Sequence, residues 1–193
     1  MKVLFATVFF LVCFVSSITY GQECIKGDCV NGHGTMIYQS SHKYTGEFKD
    51  GKRHGEGTLL LPLGRRFVGY WQNGMFFEGT LTYHDGRRYI GRWKYGQREG
   101  HGIMIYPDGR KYVGGFVNGR RHGKGTMSYA DGREYVGDFL KGERTGQGTM
   151  TFPDGRMYVG EFKNGQRTGS GMLTHPDGRK QIGQFKDGKF VSD

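Results

Sequence analysis

The sequence predicts an all-β protein, an elongated single-sheet solenoid of consecutive antiparallel β-hairpins. Three observations predict it. The 193 residues hold 36 glycines and only four prolines, yet 15% are aromatic, too many for a flexible polymer. An aromatic residue, a glycine two places on and a second aromatic two places later recur at nearly constant spacing. Between these triplets, Asp-Gly and Pro-Asp-Gly stretches mark tight turns.

The triplets are Tyr44/Gly46/Phe48, Phe67/Gly69/Trp71, Tyr89/Gly91/Trp93, Tyr112/Gly114/Phe116, Tyr135/Gly137/Phe139 and Tyr158/Gly160/Phe162. A degenerate seventh unit reads Gln181/Gly183/Phe185. Every step between units is 23 residues except one of 22, because the second unit lacks a residue between Gly74 and Gly79. Each unit carries a turn glycine (Gly51, Gly74, Gly96, Gly119, Gly142, Gly165, Gly188). In most units a Gly-x-Gly pair such as Gly146/Gly148 comes next, then a short strand such as residues 149–152.

Residues at i, i+2 and i+4 share one face of a strand, so the glycine lies between two rings. There it leaves a gap in which a ring from a neighbouring strand fits close over backbone. The glycines Gly46, Gly91, Gly114, Gly137 and Gly160 are therefore expected to be packing positions, each under a ring of the adjacent strand. Each unit is then two antiparallel strands advancing the sheet by about 10 Å.

The pattern Tyr-x-Gly-x-Phe-x-x-Gly-x-x-x-Gly-x-Gly, closed by Asp-Gly, resembles the MORN repeat over residues 44–193. An incomplete half-unit (Gly32, Gly34 and residues 35–38) precedes it. The resemblance implies an elongated β-solenoid that scaffolds proteins, dimerises and, in some members, contacts anionic phospholipids. Familiar members work inside cells, whereas this chain begins with the pattern of an export signal.

That pattern is Lys2 followed by a run at 3–15 (VLFATVFFLVCFV) in which only Thr7 is polar, with small residues at Thr19 and Gly21. It predicts a signal peptide, 1–21, cleaved before Gln22, and so a secreted or extracytoplasmic protein. An uncleaved membrane anchor is the competing reading, although a span needs about 20 apolar residues. Residues 22–43 then form an N-terminal cap, in which Cys24 and Cys29 make an even pair read as a local disulfide. Metal binding with His33 is the alternative for that pair, disfavoured because no second Cys/His pair lies nearby.

No catalytic constellation stands out, and we expect no enzyme, cofactor or small-molecule substrate. Gly119 to Thr126 (GRRHGKGT) has the wrong spacing for a phosphate loop and is the repeat itself. Two arginine series remain in a chain of formal charge +10. Arg65, Arg87, Arg110, Arg133, Arg156 and Arg179 stand two residues before the second to seventh opening positions, all but Arg65 beside a turn aspartate that invites pairing. Arg53, Arg98, Arg121, Arg144 and Arg167 fall in what reads as a Gly-rich connecting loop, where guanidinium groups should face water. This second series is the candidate site for an anionic ligand or lipid. The leading expectation is a scaffold that binds protein partners or itself, and the alternative is peripheral binding to anionic membranes. Nucleic acid ranks lower because the basic residues are spread one or two per unit.

Overall fold

The computed structural model describes residues 21–192, so all but Gly21 of the expected signal segment lies outside the described residues. Sixteen strands form one antiparallel sheet in sequence order. The first two are β1 (Glu23–Gly27) and β2 (His33–Ile37). Seven hairpin units follow, each a strand carrying the triplet and its return strand. They are β3 (Lys43–Lys49) with β4 (Lys52–Leu60), β5 (Arg66–Gln72) with β6 (Met75–Thr82), and β7 (Arg88–Lys94) with β8 (Gln97–Ile105). Next come β9 (Lys111–Val117) with β10 (Arg120–Ser128), and β11 (Glu134–Leu140) with β12 (Glu143–Thr151). The array closes on β13 (Met157–Lys163) with β14 (Gln166–Thr174), and β15 (Lys180–Lys186) with β16 (Lys189–Ser192). At about 4.8 Å per strand the sheet extends on the order of 70 Å.

Turn chemistry sets this architecture. Within a unit the strands are joined by only two residues, as at Asn164 and Gly165, whose φ values are +50° and +78°. A two-residue turn with both φ positive matches the twist of a hairpin, which is why Asp or Asn precedes the turn glycine in five of the seven units. Between units the connection is a three-residue loop. At Pro153-Asp154-Gly155 it is closed by Phe152 N–H donating to Arg156 O (2.9 Å) and Gly155 N–H donating to Phe152 O (3.0 Å).

Because the turns are so short, the segment between the turn glycine and the Gly-x-Gly pair is strand and not loop. The return strand β12 pairs with β11 from Glu143 onward, corrected only by a register shift at Gly137/Asp138. That shift is a bulge, in which Gly146 turns left-handed (φ +57°) and adds residues opposite one partner. Sequence periodicity located the glycine but not the continuity of the strand through it.

The register aligns one row of glycines from β2 to β15: Gly34 pairs with Gly46, Gly46 with Gly57, and so on to Gly171 with Gly183. On one side of this row the rings form the core. Tyr112 stands edge-on to Phe116 of its own strand (5.2 Å between centroids) and to Phe139 of the next unit (4.9 Å). Each such pair contributes about 0.5–1.5 kcal/mol beyond area burial. The array therefore coheres by repeating one ring contact.

The N-terminal end is closed differently. Cys24 and Cys29 are joined in a disulfide. The loop it restrains covers the first hairpin turn, with Gly51 N–H donating to Val30 O (3.0 Å) and Phe48 N–H donating to Gly32 O (2.7 Å).

Candidate functional site

The triplets occupy the positions expected of them, but the ring that fills each gap is not the one expected. Tyr135 folds back over Gly137 of its own strand and reaches Gly148 of the next. A Cβ at 137 would stand 2.7 Å from Gly148 Cα and closer still to Tyr135 Oη. The hydroxyl donates to Asp138 O at 3.0 Å. Tyr44, Tyr89, Tyr112 and Tyr158 repeat the bond to Glu47, Arg92, Gly115 and Glu161. So Tyr44/Gly46/Phe48, Tyr89/Gly91/Trp93, Tyr112/Gly114/Phe116, Tyr135/Gly137/Phe139 and Tyr158/Gly160/Phe162 are each one ring laid on one glycine, with the second ring packed against its edge. Burial pushes the hydroxyls of Tyr89, Tyr112 and Tyr135 up to about 12.

The same correction applies at Gly91 and Gly160, where the expected ring from the adjacent strand is not found. A Cβ on Gly91 would meet Tyr89 Oη at 2.6 Å and Gly102 Cα at 3.0 Å. One on Gly160 would meet Tyr158 Oη at 2.5 Å and Gly171 Cα at 2.6 Å. In both, the obstacle is the tyrosine two residues earlier on the same strand, because its side chain leans along the strand far enough to cover the glycine. Gly91 and Gly160 thus take part in the ring packing. Gly114 and Gly137 line one shallow hollow on the outward face and Gly46 lines another.

The first arginine series is bonded at the turns. Arg87, Arg110, Arg133, Arg156 and Arg179 pair with Asp85, Asp108, Asp131, Asp154 and Asp177 at 2.6–2.8 Å. Four of them also lie over the aromatic residue that opens their turn, as Arg133 does over Tyr129 at 4.9 Å. A backbone N–H and the guanidinium together hold these carboxyls below the ordinary aspartate value. Arg65 has no aspartate in its turn and lies near Phe67 and Tyr83.

The second series corrects the sequence expectation. Arg53, Arg98, Arg121, Arg144 and Arg167 are not a water-facing ladder. Each is the second residue of its return strand, half-buried, and its guanidinium donates to the carbonyl of the turn glycine one unit ahead. Arg53 reaches Gly74 O at 2.8 Å and Arg121 reaches Gly142 O at 2.6 Å. The bond is returned, since Gly142 N–H donates to Arg121 O at 2.9 Å. Each guanidinium also lies over rings of both units, as Arg121 does over Tyr112 (5.8 Å) and Phe139 (5.6 Å). Burial pulls Arg53 and Arg167 below the ordinary guanidinium value. These side chains staple one unit to the next. Sequence reasoning missed this because the acceptor lies 21 residues away in the chain.

Sequence reasoning also passed over the opposite face. The residue after each opening position pairs with its counterpart on the return strand, and these pairs join into one stripe. Ile103 pairs with Val113, Val113 with Thr126, Thr126 with Val136, Val136 with Thr149 and Thr149 with Val159. The stripe borders the glycine row, with His101, Lys124 and Gln147 along its other side. Its signal was present as a β-branched residue at a fixed offset from each tyrosine.

The sequence pattern of the family described as MORN repeat matches residues 44–62, 89–109, 112–132, 135–155 and 158–178. The short second unit falls between the first two matches. Among solved structures, the G-box domain of the microcephaly protein CPAP, for which a role in centriole elongation is suggested, is similar at 14% identity and a TM-score of 0.52. That likeness covers 81% of this chain and 82% of the other, and it extends to the fold alone. A mutant TCP10 domain of CPAP from Danio rerio matches at 16% identity over 79% of this chain and 82% of that one, with a TM-score of 0.38. The family matches span more than half of the sequence in register with the hairpin units: the chain belongs to the MORN-repeat family.

Proposed function

We propose that this protein is an exported, non-catalytic interaction scaffold that binds protein partners, or itself, through the outward face of its sheet. The observation that carries the proposal is the stripe beside the glycine row. It runs unbroken across strands of equal register, and it leaves Val136 and Val159 exposed at 49% and 38%. A partly apolar surface with a fixed period suits an extended protein partner. The stapling arginines are half-buried over the rings and bonded to the turn glycines, so they do not form a water-facing ladder for lipid headgroups.

The test uses the secreted chain with Val136→Lys and Val159→Lys together. Both side chains face solvent, so the melting temperature should hold while partner capture or self-association falls at least tenfold. Unchanged binding would remove this face from the account. Co-sedimentation with vesicles that needs anionic lipid and disappears with salt would favour the membrane alternative instead.

A further inference from the structure

Among the stapled hairpin units, one line breaks the pattern. In the second unit, the position that elsewhere holds a stapling arginine is Phe76, opposite Trp71 in the ladder. The turn glycine it should engage is Gly96. Gly74, Gly119, Gly142, Gly165 and Gly188 each receive both bonds of the staple, N–H to arginine carbonyl and guanidinium to glycine carbonyl. Among the described residues, Gly96 receives neither.

Other differences fall on the same line. The bulge here holds Phe77 alone, since the first glycine of the Gly-x-Gly pair is missing. Without that glycine the ladder from β6 to β7 has five residue pairs, where β8–β9 and β10–β11 have six. Trp71 donates its indole N–H to Gly57 O (3.3 Å), but the buried indole N–H of Trp93 has no partner. The two ring contacts across the line, Phe67 to Trp93 and Phe76 to Trp93, stand at 5.8 and 6.1 Å, against 5.0 Å for Tyr89–Phe116. The buried residues accordingly separate into a cluster ending at Trp71 and another beginning at Tyr89.

A cleft also opens along this line, lined by Asn73, Met75, Phe77, Trp93 and Tyr95. Tyr95 is 84% exposed at φ +49°, a backbone region costly for a bulky side chain. The lining names no occupant, so the cleft does not define a ligand.

We infer that the β6–β7 junction is a flexural joint. The sheet opens and bends along this line, while the blocks before and after it move as rigid bodies. The five ladder pairs and the Arg92–Glu78 ion pair (3.3 Å) form the pivot, and the cleft is the side that gapes. The joint rests on geometry inside the chain and stands whether or not the outward face binds a partner.

Hydrogen exchange of the full secreted chain tests it. Backbone amides of the β6–β7 ladder should exchange at least tenfold faster than those at matching positions of β8–β9 and β10–β11. Replacing Phe76→Arg and inserting one glycine after Phe77 restores the regular unit, and should slow β6–β7 to the common rate. Conversely, Arg121→Phe should create a second fast line at β10–β11. Uniform exchange along all three ladders overturns the joint. So does a restored unit whose β6–β7 rate is unchanged. If the restored unit does not fold, Arg121→Phe decides: a β10–β11 ladder exchanging at its original rate overturns the inference.

Discussion

The unit opening at Tyr135 and the unit opening at Phe67 are built from the same hairpin, and the second is richer in rings. Phe67, Trp71 and Phe76 contact one another at 5.0–6.2 Å between centroids. The Tyr135 unit has one such pair of its own, Tyr135–Phe139, and a second ring contact to Phe162 ahead. Yet the Tyr135 unit is bonded to its successor at both ends of the staple, while the Phe67 unit is not. More apolar surface has not produced tighter joining. The difference lies in an arginine long enough to cross from its own strand to the next turn, where it satisfies a carbonyl that rings cannot.

Gly137→Val should break the regular region most severely. The added branch meets Tyr135 and the backbone of Gly148, so overpacking of about 1–3 kcal/mol is joined by a displaced tyrosine hydrogen bond. Denaturant unfolding should show it, whereas Gly123→Ala, where a Cβ meets nothing within 4 Å, should cost only the left-handed backbone penalty of about 1–2 kcal/mol. Next in size is Arg144→Gln, expected to cost about 1.5–3 kcal/mol through the lost charge-assisted bond to Gly165. The sequence alone suggested that these guanidinium groups face water, and equal melting temperatures for wild type and Arg144→Gln would restore that view.

The buried tyrosines give an alkaline limit. Their folded values, about 12 for Tyr89, Tyr112 and Tyr135, lie above the ordinary 10.0, so the stability they carry is complete below pH 10 and is lost as pH rises toward 12. Circular dichroism across that window should show the β signal collapsing, and a signal that persists above pH 12 would contradict the burial of the hydroxyls. The smallest effect belongs to the turn aspartates. Their lowered values mean stability present above the ordinary 3.8 and lost as pH falls below it. These side chains are exposed, so Asp131→Asn should shift the melting point only slightly at pH 7 and flatten its decline below pH 4. A large loss at neutral pH would show the turn pairs to be structural anchors.

Much of the fold was legible because its signals are local and repeated. Tyr-x-Gly-x-Phe gives strand period and face, and Asn-Gly or Asp-Gly gives the turn. The missing residue between Gly74 and Gly79 was visible too, though the shortened β6–β7 ladder it leaves was not. Strand period placed Gly91 and Gly160 correctly between two rings, but it carries no information on which way a tyrosine leans, so the covering ring was misassigned. The remaining gaps depend on neighbours distant in sequence. A short stretch such as Gly142 to Gly148 looks like loop until its pairing with β11 is known, because glycine weakens the strand signal. Arg144 looks solvent-facing until Gly165 is set beside it. Thr126 and Val136 read as ordinary strand filler until register joins them into a stripe.

The staples point forward along the chain, each stapling arginine reaching the turn glycine 21 residues ahead and no farther. Every structural debt is therefore settled between sequence neighbours, and closing such short loops is fast. A chain emerging N-terminus first can zip up unit by unit, each new hairpin meeting a finished edge behind it. Adding a unit lengthens the zipper without changing the difficulty of any step, so the time to fold should grow roughly in proportion to repeat number.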